Sequence, residues 1–181
     1  MSAIRTARWI QRADAAEHRL CLRLNRGCSS PATRNLFRLV SRLGDGVFWY
    51  LVMLLLPVLY GDRGLVPALQ MAVASVIGVG LYSLLKARLV RERPYITHAG
   101  IEAFTAPLDR YSFPSGHTLH AVSFTLIATA HFPELAFLLV PMTLLIAASR
   151  VVLGLHYPSD VLAGAALGGA LAVSVLALTP L

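Results

Sequence analysis

Five apolar runs fill most of the chain after residue 45, at about 46–60, 65–85, 117–132, 135–152 and 159–179. No other feature limits the fold so tightly. Only 14% of the residues are charged and 56% are hydrophobic, whereas a soluble domain carries roughly 25% charged residues. A water-facing surface cannot be assembled from this composition, so the runs are read as transmembrane helices. Several fall short of the ~20 residues of a typical span, so tilt or local bilayer thinning is expected. Phe48, Trp49 and Tyr50 open the first run and suit an interfacial aromatic belt. The length of 181 residues allows one such bundle. The first long apolar run begins too late to act as a cleaved signal peptide.

The connections divide into two sets. The turn 61–64 and the Phe132-Pro133-Glu134 turn share one membrane face. The long polar stretch 86–116 and the 150–158 connection share the other, and chemistry is expected there.

Residues 1–43 form a basic arm ahead of the bundle at 44–181. Nine of the fifteen arginines lie in it: Arg5, Arg8, Arg12, Arg19, Arg23, Arg26, Arg34, Arg38 and Arg42. The first six are spaced three, four or seven apart, which gathers them on one stripe of a helix. Ile10, Ala13, Leu20 and Leu24 fall broadly opposite, interrupted by Asp14 and Glu17. This pattern predicts an amphipathic helix at the membrane interface with its arginines toward anionic lipid headgroups; the alternative is a solvated helix packed on the bundle. The net charge of +7 belongs to an apolar body with a basic arm, so nucleic acid is not the expected partner. Cys21 and Cys28 make no disulfide framework and are read as reduced. The fold expected is therefore all-α: about five transmembrane helices with an N-terminal interfacial arm.

Polar residues inside or beside membrane segments are costly, so they carry a functional reading by default. Three clusters qualify. Lys86, the one lysine, precedes Arg93 and Pro94; Pro114-Ser115-Gly116-His117 opens the third run; Ser149-Arg150, His156 and Asp160 join the fourth and fifth. Taken singly, each has a plain explanation. Basic residues after a span satisfy the positive-inside rule, Pro-Ser-Gly is a turn and helix cap, and His-x-x-x-Asp is a helical pair. Together they share one membrane face and supply complementary chemistry. Lys86, Arg93 and Arg150 can surround a phosphoryl group. Ser115 and the Gly116 N–H stand at a helix N-terminus, a natural anion site. The two histidines offer a nucleophile and an acid, and Asp160 can orient an imidazole.

Lys86-x6-Arg93-Pro94, Pro114-Ser115-Gly116-His117 and Ser149-Arg150-x5-His156-x3-Asp160 resemble, in order and spacing, the three signature motifs of the type-2 phosphatidic acid phosphatase superfamily. The resemblance covers roughly residues 44–178 and leaves the arm outside. It implies an integral-membrane lipid phosphate phosphatase that needs no metal or other cofactor. His156 would attack phosphorus, Asp160 would orient it, and His117 would protonate the leaving alkoxide and then activate water. Lys86, Arg93, Arg150, Ser115 and Gly116 would hold the phosphate oxygens. Phosphatidate, phosphatidylglycerophosphate and polyprenyl or undecaprenyl diphosphate are the substrate candidates. Two alternatives stand beside this: transfer of the phosphoryl group to an alcohol, and a non-enzymatic lipid-binding membrane protein. The pattern sets no oligomeric state.

Tyr95, His98, Glu102, Asp109, Arg110 and Tyr111, between the first two motifs, are read as solvated loop residues. His120 is read as a helix-packing residue, and His18 and His131 have no partner evident in the sequence. The expected location is a bacterial cytoplasmic membrane. The arm arginines place the catalytic face in the cytoplasm unless the arm itself spans the bilayer.

Overall fold

The computed structural model describes residues 2–179, with side chains from residue 14 onward and at Arg12. Arg5, Arg8, Ile10 and Ala13, on which part of the amphipathic reading of the arm rests, have side chains outside that range. Eight α-helices appear among the described residues: α1 (Ser2–Asn25), α2 (Pro31–Arg42), α3 (Phe48–Tyr60), α4 (Asp62–Arg88), the single turn α5 (Pro94–Thr97), α6 (Gly116–His131), α7 (Ala136–Val152) and α8 (Pro158–Leu178). No strand occurs among these residues, as the apolar runs require. A membrane-spanning backbone must satisfy its own hydrogen bonds, and α-helices do so within each segment.

Four helical stretches are long and apolar enough to cross a membrane: Pro31–Tyr60, Asp62–Arg88, Pro133–Val152 and Pro158–Leu178. The first joins α2 to α3 through a π-helical turn, Leu43–Val47. Residues 31–42 thus lead into that turn, whose backbone kinks at Gly46 before α3 begins. The expected third span, α6, is shorter at 16 residues, about 24 Å at 1.5 Å per residue. It need not meet lipid all round, because it packs against α4, α7 and α8. Leu119, Ala121, Ile127 and Ala128 on this helix are fully buried, the pattern of a central helix.

The outside of the bundle is as apolar as its inside. Trp49, Met71, Leu119, Leu139, Ile146 and Leu171 form one buried cluster, while Val58, Val76, Phe137 and Leu162 stand exposed around it. Such a surface is stable only against hydrocarbon, and the protein is an integral membrane protein. α6 and α8 meet most closely where Gly164 and Gly168 face them. A Cβ on Gly164 would lie 2.5 Å from the Ser115 carbonyl oxygen, and one on Gly168 would strike that of Leu119. Small residues at such positions let two membrane helices approach backbone to backbone. That approach sets Ser115 at the head of α6 beside the head of α8, where the Ser115 N–H donates to the Asp160 carbonyl at 3.0 Å.

The two sets of connections separate as the hydropathy pattern requires. The Tyr60 hydroxyl donates to Glu134 at 3.0 Å and its ring stacks on Phe132, so the two short turns meet at one end. The arm, α5, the 98–115 loop and the α7–α8 connection meet at the other. α1 packs there through one face: Glu17, Cys21 and Asn25 lie at helical spacing, and Cys21 and Asn25 are buried, as is Cys28 in the 3-10 turn that follows. Leu20 and Leu24, the apolar side expected from the sequence, remain exposed. The Asn25 amide donates to the carbonyls of Glu102 and Val152, both at 3.0 Å, and its oxygen accepts from the Glu102 N–H at 3.0 Å. A polar side chain that satisfies two loops at once fixes the arm to them more specifically than leucines could. Cys21 and Cys28 are both free thiols.

Candidate active site

The end of the bundle that carries the arm contains a cavity of about 520 Å³. Lys86, Arg93, Gly116, His117, Arg150 and His156 all line it, although they come from four separate segments. Lys86 reaches it from the last turn of α4. Arg93 starts α5, where the following Pro94 occupies the first helical position, for which its fixed φ suits it. Gly116 and His117 form the first turn of α6. Arg150 is in the last turn of α7, and its carbonyl accepts from both Leu155 N–H and His156 N–H. That tight return brings Arg150 and His156 to the same wall.

Two expected residues lie behind the wall. Ser115 is fully buried and caps α6: its hydroxyl accepts from the Thr118 N–H at 3.4 Å and sits 3.0 Å from the Thr118 hydroxyl. Asp160 is fully buried behind His156, with Oδ2 at 3.6 Å from His156 Nδ1. That separation is beyond a hydrogen bond, and Nδ1 has no hydrogen-bond partner among the described residues. Asp160 instead accepts from the Tyr157 N–H at 2.8 Å and from Arg91 at 2.6 Å.

The electrostatics follow from burial. Arg93 and Arg150 are almost wholly buried, and a guanidinium stays charged even there. Arg93 donates to the Leu155 carbonyl at 2.8 Å and stands 3.2 Å from His156 Nε2. Arg150 donates to Ser41, and its Nε has no partner among the described residues. Burial first, then Arg150, Arg93, Lys86 and His117, push the His156 imidazole well below the ordinary histidine value. His156 is therefore neutral at neutral pH, with a lone pair available.

Three carboxylates here were not singled out by sequence. Asp109, read as a solvated loop residue, accepts from Lys86 at 2.6 Å and from Arg93 at 2.8 Å. Burial alone would raise its carboxyl, but Lys86 and Arg93 outweigh that and hold it below the ordinary value. Asp45 pairs with His117. It sits in the π-helical turn beside Gly46, whose φ of 132° kinks the backbone there and is open to glycine. Glu17 of the arm pairs with Arg91 at 2.8 Å. Asp45 could have been noticed as an acid flanked by two glycines at the head of a span. Asp109 and Glu17 carry no such signal. His120 lines the cavity and stacks on Phe124, while His18 stacks on His98 and His131 bonds Gln70 at 2.7 Å. Among the described residues no group of three His, Cys, Asp or Glu side chains is placed to hold a metal ion.

Comparison with known proteins agrees with the motifs. The family model of the PAP2 superfamily matches residues 67–180. A decaprenylphosphoryl-5-phosphoribose phosphatase of Mycobacterium tuberculosis is 31% identical over 71% of this chain and 71% of its own length. A lipid A 1-phosphatase of Rhizobium etli is 37% identical over 49% of this chain, a match that spans 40% of that protein. Among solved structures, Aquifex aeolicus LpxE superposes with a TM-score of 0.76 at 23% identity, covering 88% of this chain and 93% of its own. The transmembrane phosphatidylglycerolphosphate phosphatase of Bacillus subtilis gives 0.75 at 23% identity, over 92% and 85%. At that identity the structures speak for the fold, while the family model spans more than half of the sequence. The chain belongs to the PAP2 superfamily.

Proposed function

We propose that the protein is a membrane lipid phosphatase that works through a phosphohistidine on His156. One observation carries the reading: three buried or nearly buried cations and two histidines, drawn from four segments, face a single cavity. Nε2 of neutral His156 attacks the terminal phosphorus as its bond to the bridging oxygen breaks, and His117 supplies the proton that the leaving group needs, an alkoxide from a monoester or a lipid phosphate from a diphosphate. Water then attacks the phosphohistidine, His117 takes its proton, and inorganic phosphate leaves as the P–N bond breaks. Lys86, Arg93, Arg150 and the Gly116 N–H hold the phosphate oxygens through both steps. Phosphoryl transfer depends mainly on such positioning and charge stabilisation. Asp160 supports Nδ1 once His156 becomes charged, and Ser115 acts from behind by fixing the first turn of α6.

Its substrate is a lipid phosphomonoester or diphosphate. Phosphatidate, phosphatidylglycerophosphate and undecaprenyl diphosphate head the panel, joined by a lipid A 1-phosphate and decaprenylphosphoryl-5-phosphoribose after the relatives' names. Exposed Arg12, Arg19, Arg23 and Arg26 lie on the arm, which docks at the catalytic end through Asn25 and Glu17. Arm and site then share a membrane face, which the positive-inside rule makes cytoplasmic in a bacterial inner membrane. Anionic headgroups are the partners of these arginines.

The test is phosphate release from that panel by the detergent-solubilised protein with EDTA, beside His156→Ala. The expected result is release that survives EDTA and is lost by a factor of roughly a thousand or more in the variant. An active His156→Ala would end the histidine reading, and phosphate recovered on an added alcohol would make the enzyme a transferase.

A further inference from the structure

Besides the Tyr157 N–H, from which Oδ2 accepts at 2.8 Å, Asp160 is shared between two groups. Oδ2 faces His156 Nδ1 at 3.6 Å, while Oδ1 accepts from Arg91 at 2.6 Å. Arg91 comes from the loop after α4 and stands over the Tyr157 ring, with its guanidinium carbon 3.9 Å from the ring centre. Its second nitrogen donates to Glu17 of the arm at 2.8 Å, and Glu17's other oxygen accepts from the Ser159 N–H at 2.7 Å. Hydrogen bonds thus link Glu17, Arg91 and Asp160, and Asp160 in turn faces the His156 imidazole at 3.6 Å, beyond hydrogen-bond distance. The guanidinium fork is the one side-chain geometry that bridges two carboxylates in this way.

We propose that Glu17 is a positioning residue for the His156 site, acting through Arg91 on Asp160, so that the arm is part of the catalytic machinery. The proposal rests on the reading of His156 as the nucleophile. Glu17 divides the charge of Arg91 between two carboxylates and leaves Asp160 a share of its negative charge for the imidazole. Without the Glu17 charge, Arg91 neutralises Asp160 more fully, and the imidazolium that forms at Nδ1 loses support.

The neighbouring ionisable groups are few. His156 is faced by Arg93, Arg150, Lys86, His117 and Asp160. Cys21 of α1 stands beside Glu17 and Asp160; burial, then Glu17, pushes its thiol up to about 12, so it stays protonated in any assay near neutrality. His18 of α1 stacks on His98, which meets Tyr157 edge-on. Burial and His18 push His98 down.

Glu17→Gln separates two roles, because the amide oxygen can still accept from Ser159 N–H while the charge is gone. The expected result is kcat lowered about tenfold or more with KM little changed. The acid limb of kcat/KM should also move down by about one pH unit. Arg91→Gln should move that limb up instead, and Glu17→Gln should then have no further effect, since it acts only through Arg91. If Arg91→Gln does not fold, Arg91→Lys serves as the background, because an ammonium lacks the fork that spans both carboxylates. Two results would overturn the proposal. One is wild-type kcat and pH profile in Glu17→Gln while His156→Ala is inactive; the other is a Glu17→Gln effect undiminished in the Arg91 background, which would make Glu17 only a cap for α8. Activity in His156→Ala would instead strike the underlying reading.

Discussion

The two ends of the bundle solve the same problem in opposite ways. Each must bury polar groups where several helices end. At the end away from the arm the network is largely neutral: the Gln70 amide donates to the carbonyl and hydroxyl of Thr179 at 3.0 and 2.8 Å, and its oxygen meets His131 at 2.7 Å. Every polar atom of the Gln70 side chain is thus engaged by one or two close neighbours. At the arm end, Lys86, Arg93 and Arg150 crowd one cavity, and the carboxylates Asp45 and Asp109 reach in from a kinked turn and a loop. Three cations this close repel one another, and the Arg150 Nε is left without a partner among the described residues. The first arrangement closes a helix bundle. The second crowds like charges at one cavity, an arrangement that costs stability unless a function uses it.

Substitutions should separate the two ends, and Arg150 gives the largest effect. Arg150→Ala removes a charge that only the phosphoryl transition state can fully use, so kcat should fall by roughly a hundredfold or more. A lysine at 150 should recover little of it, because the fork geometry is gone. Equal activity in wild type and Arg150→Ala would mean that the cation cluster is structural.

The pH profile comes next. As the proposed nucleophile, His156 must be neutral to attack, and its value lies well below 6.5. Activity should therefore persist as pH falls through 6.5 and be lost only on reaching the lower folded value. An acid limb of kcat/KM that lies above 6.5 and disappears in no other histidine variant would contradict this.

A smaller change is expected at Asp109, which holds Lys86 and Arg93, the two cations proposed to bind the substrate phosphate. Asp109→Asn should make inorganic phosphate a tighter inhibitor by about fivefold, since less of the site is occupied by its own carboxylate. The same side chain has a pH signature. Its folded carboxyl lies below the ordinary 3.8, so its stabilising contribution is present above that pH and lost as pH falls toward the folded value. The stability advantage of wild type over Asp109→Asn should therefore vanish on acidification. Weaker inhibition by phosphate in the variant would show that Asp109 assists binding.

The smallest effects belong to the far end. Gln70→Ala should cost about 1 kcal/mol of stability, seen as a drop of a few degrees in melting temperature. Specific activity in the folded protein should stay unchanged. Lost catalysis at a temperature where the variant is folded would couple the two ends.

Legibility in the sequence follows the same division. Lys86, Arg93, His117, Arg150 and His156 could be picked out because a charge or imidazole beside an apolar run is conspicuous, and their spacing carries the family signature. The structure gathers all five on one cavity. Asp109 and Arg91 were invisible for the converse reason. A polar residue in a polar loop gives no contrast, and only the folded path of residues 89–115 brings them to the site. Glu17 read as a flaw in an amphipathic helix, because periodicity locates a stripe without saying which stripe will be buried. The face that docks is held by Asn25, Glu17 and two thiols.

The sequence by itself determined an all-helical membrane bundle, the sidedness of its connections and the family to which it belongs. These depend on hydropathy, on helical period and on local spacing, all of which are properties of neighbouring residues. The tertiary structure alone decided that Asp160 is shared with Arg91 and that carboxylates from three distant segments gather at the arm end. Those outcomes depend on contacts between segments, as Arg91 meets Asp160 across 69 positions of chain and Asp109 meets Lys86 across 23, and no local pattern encodes which of them will meet.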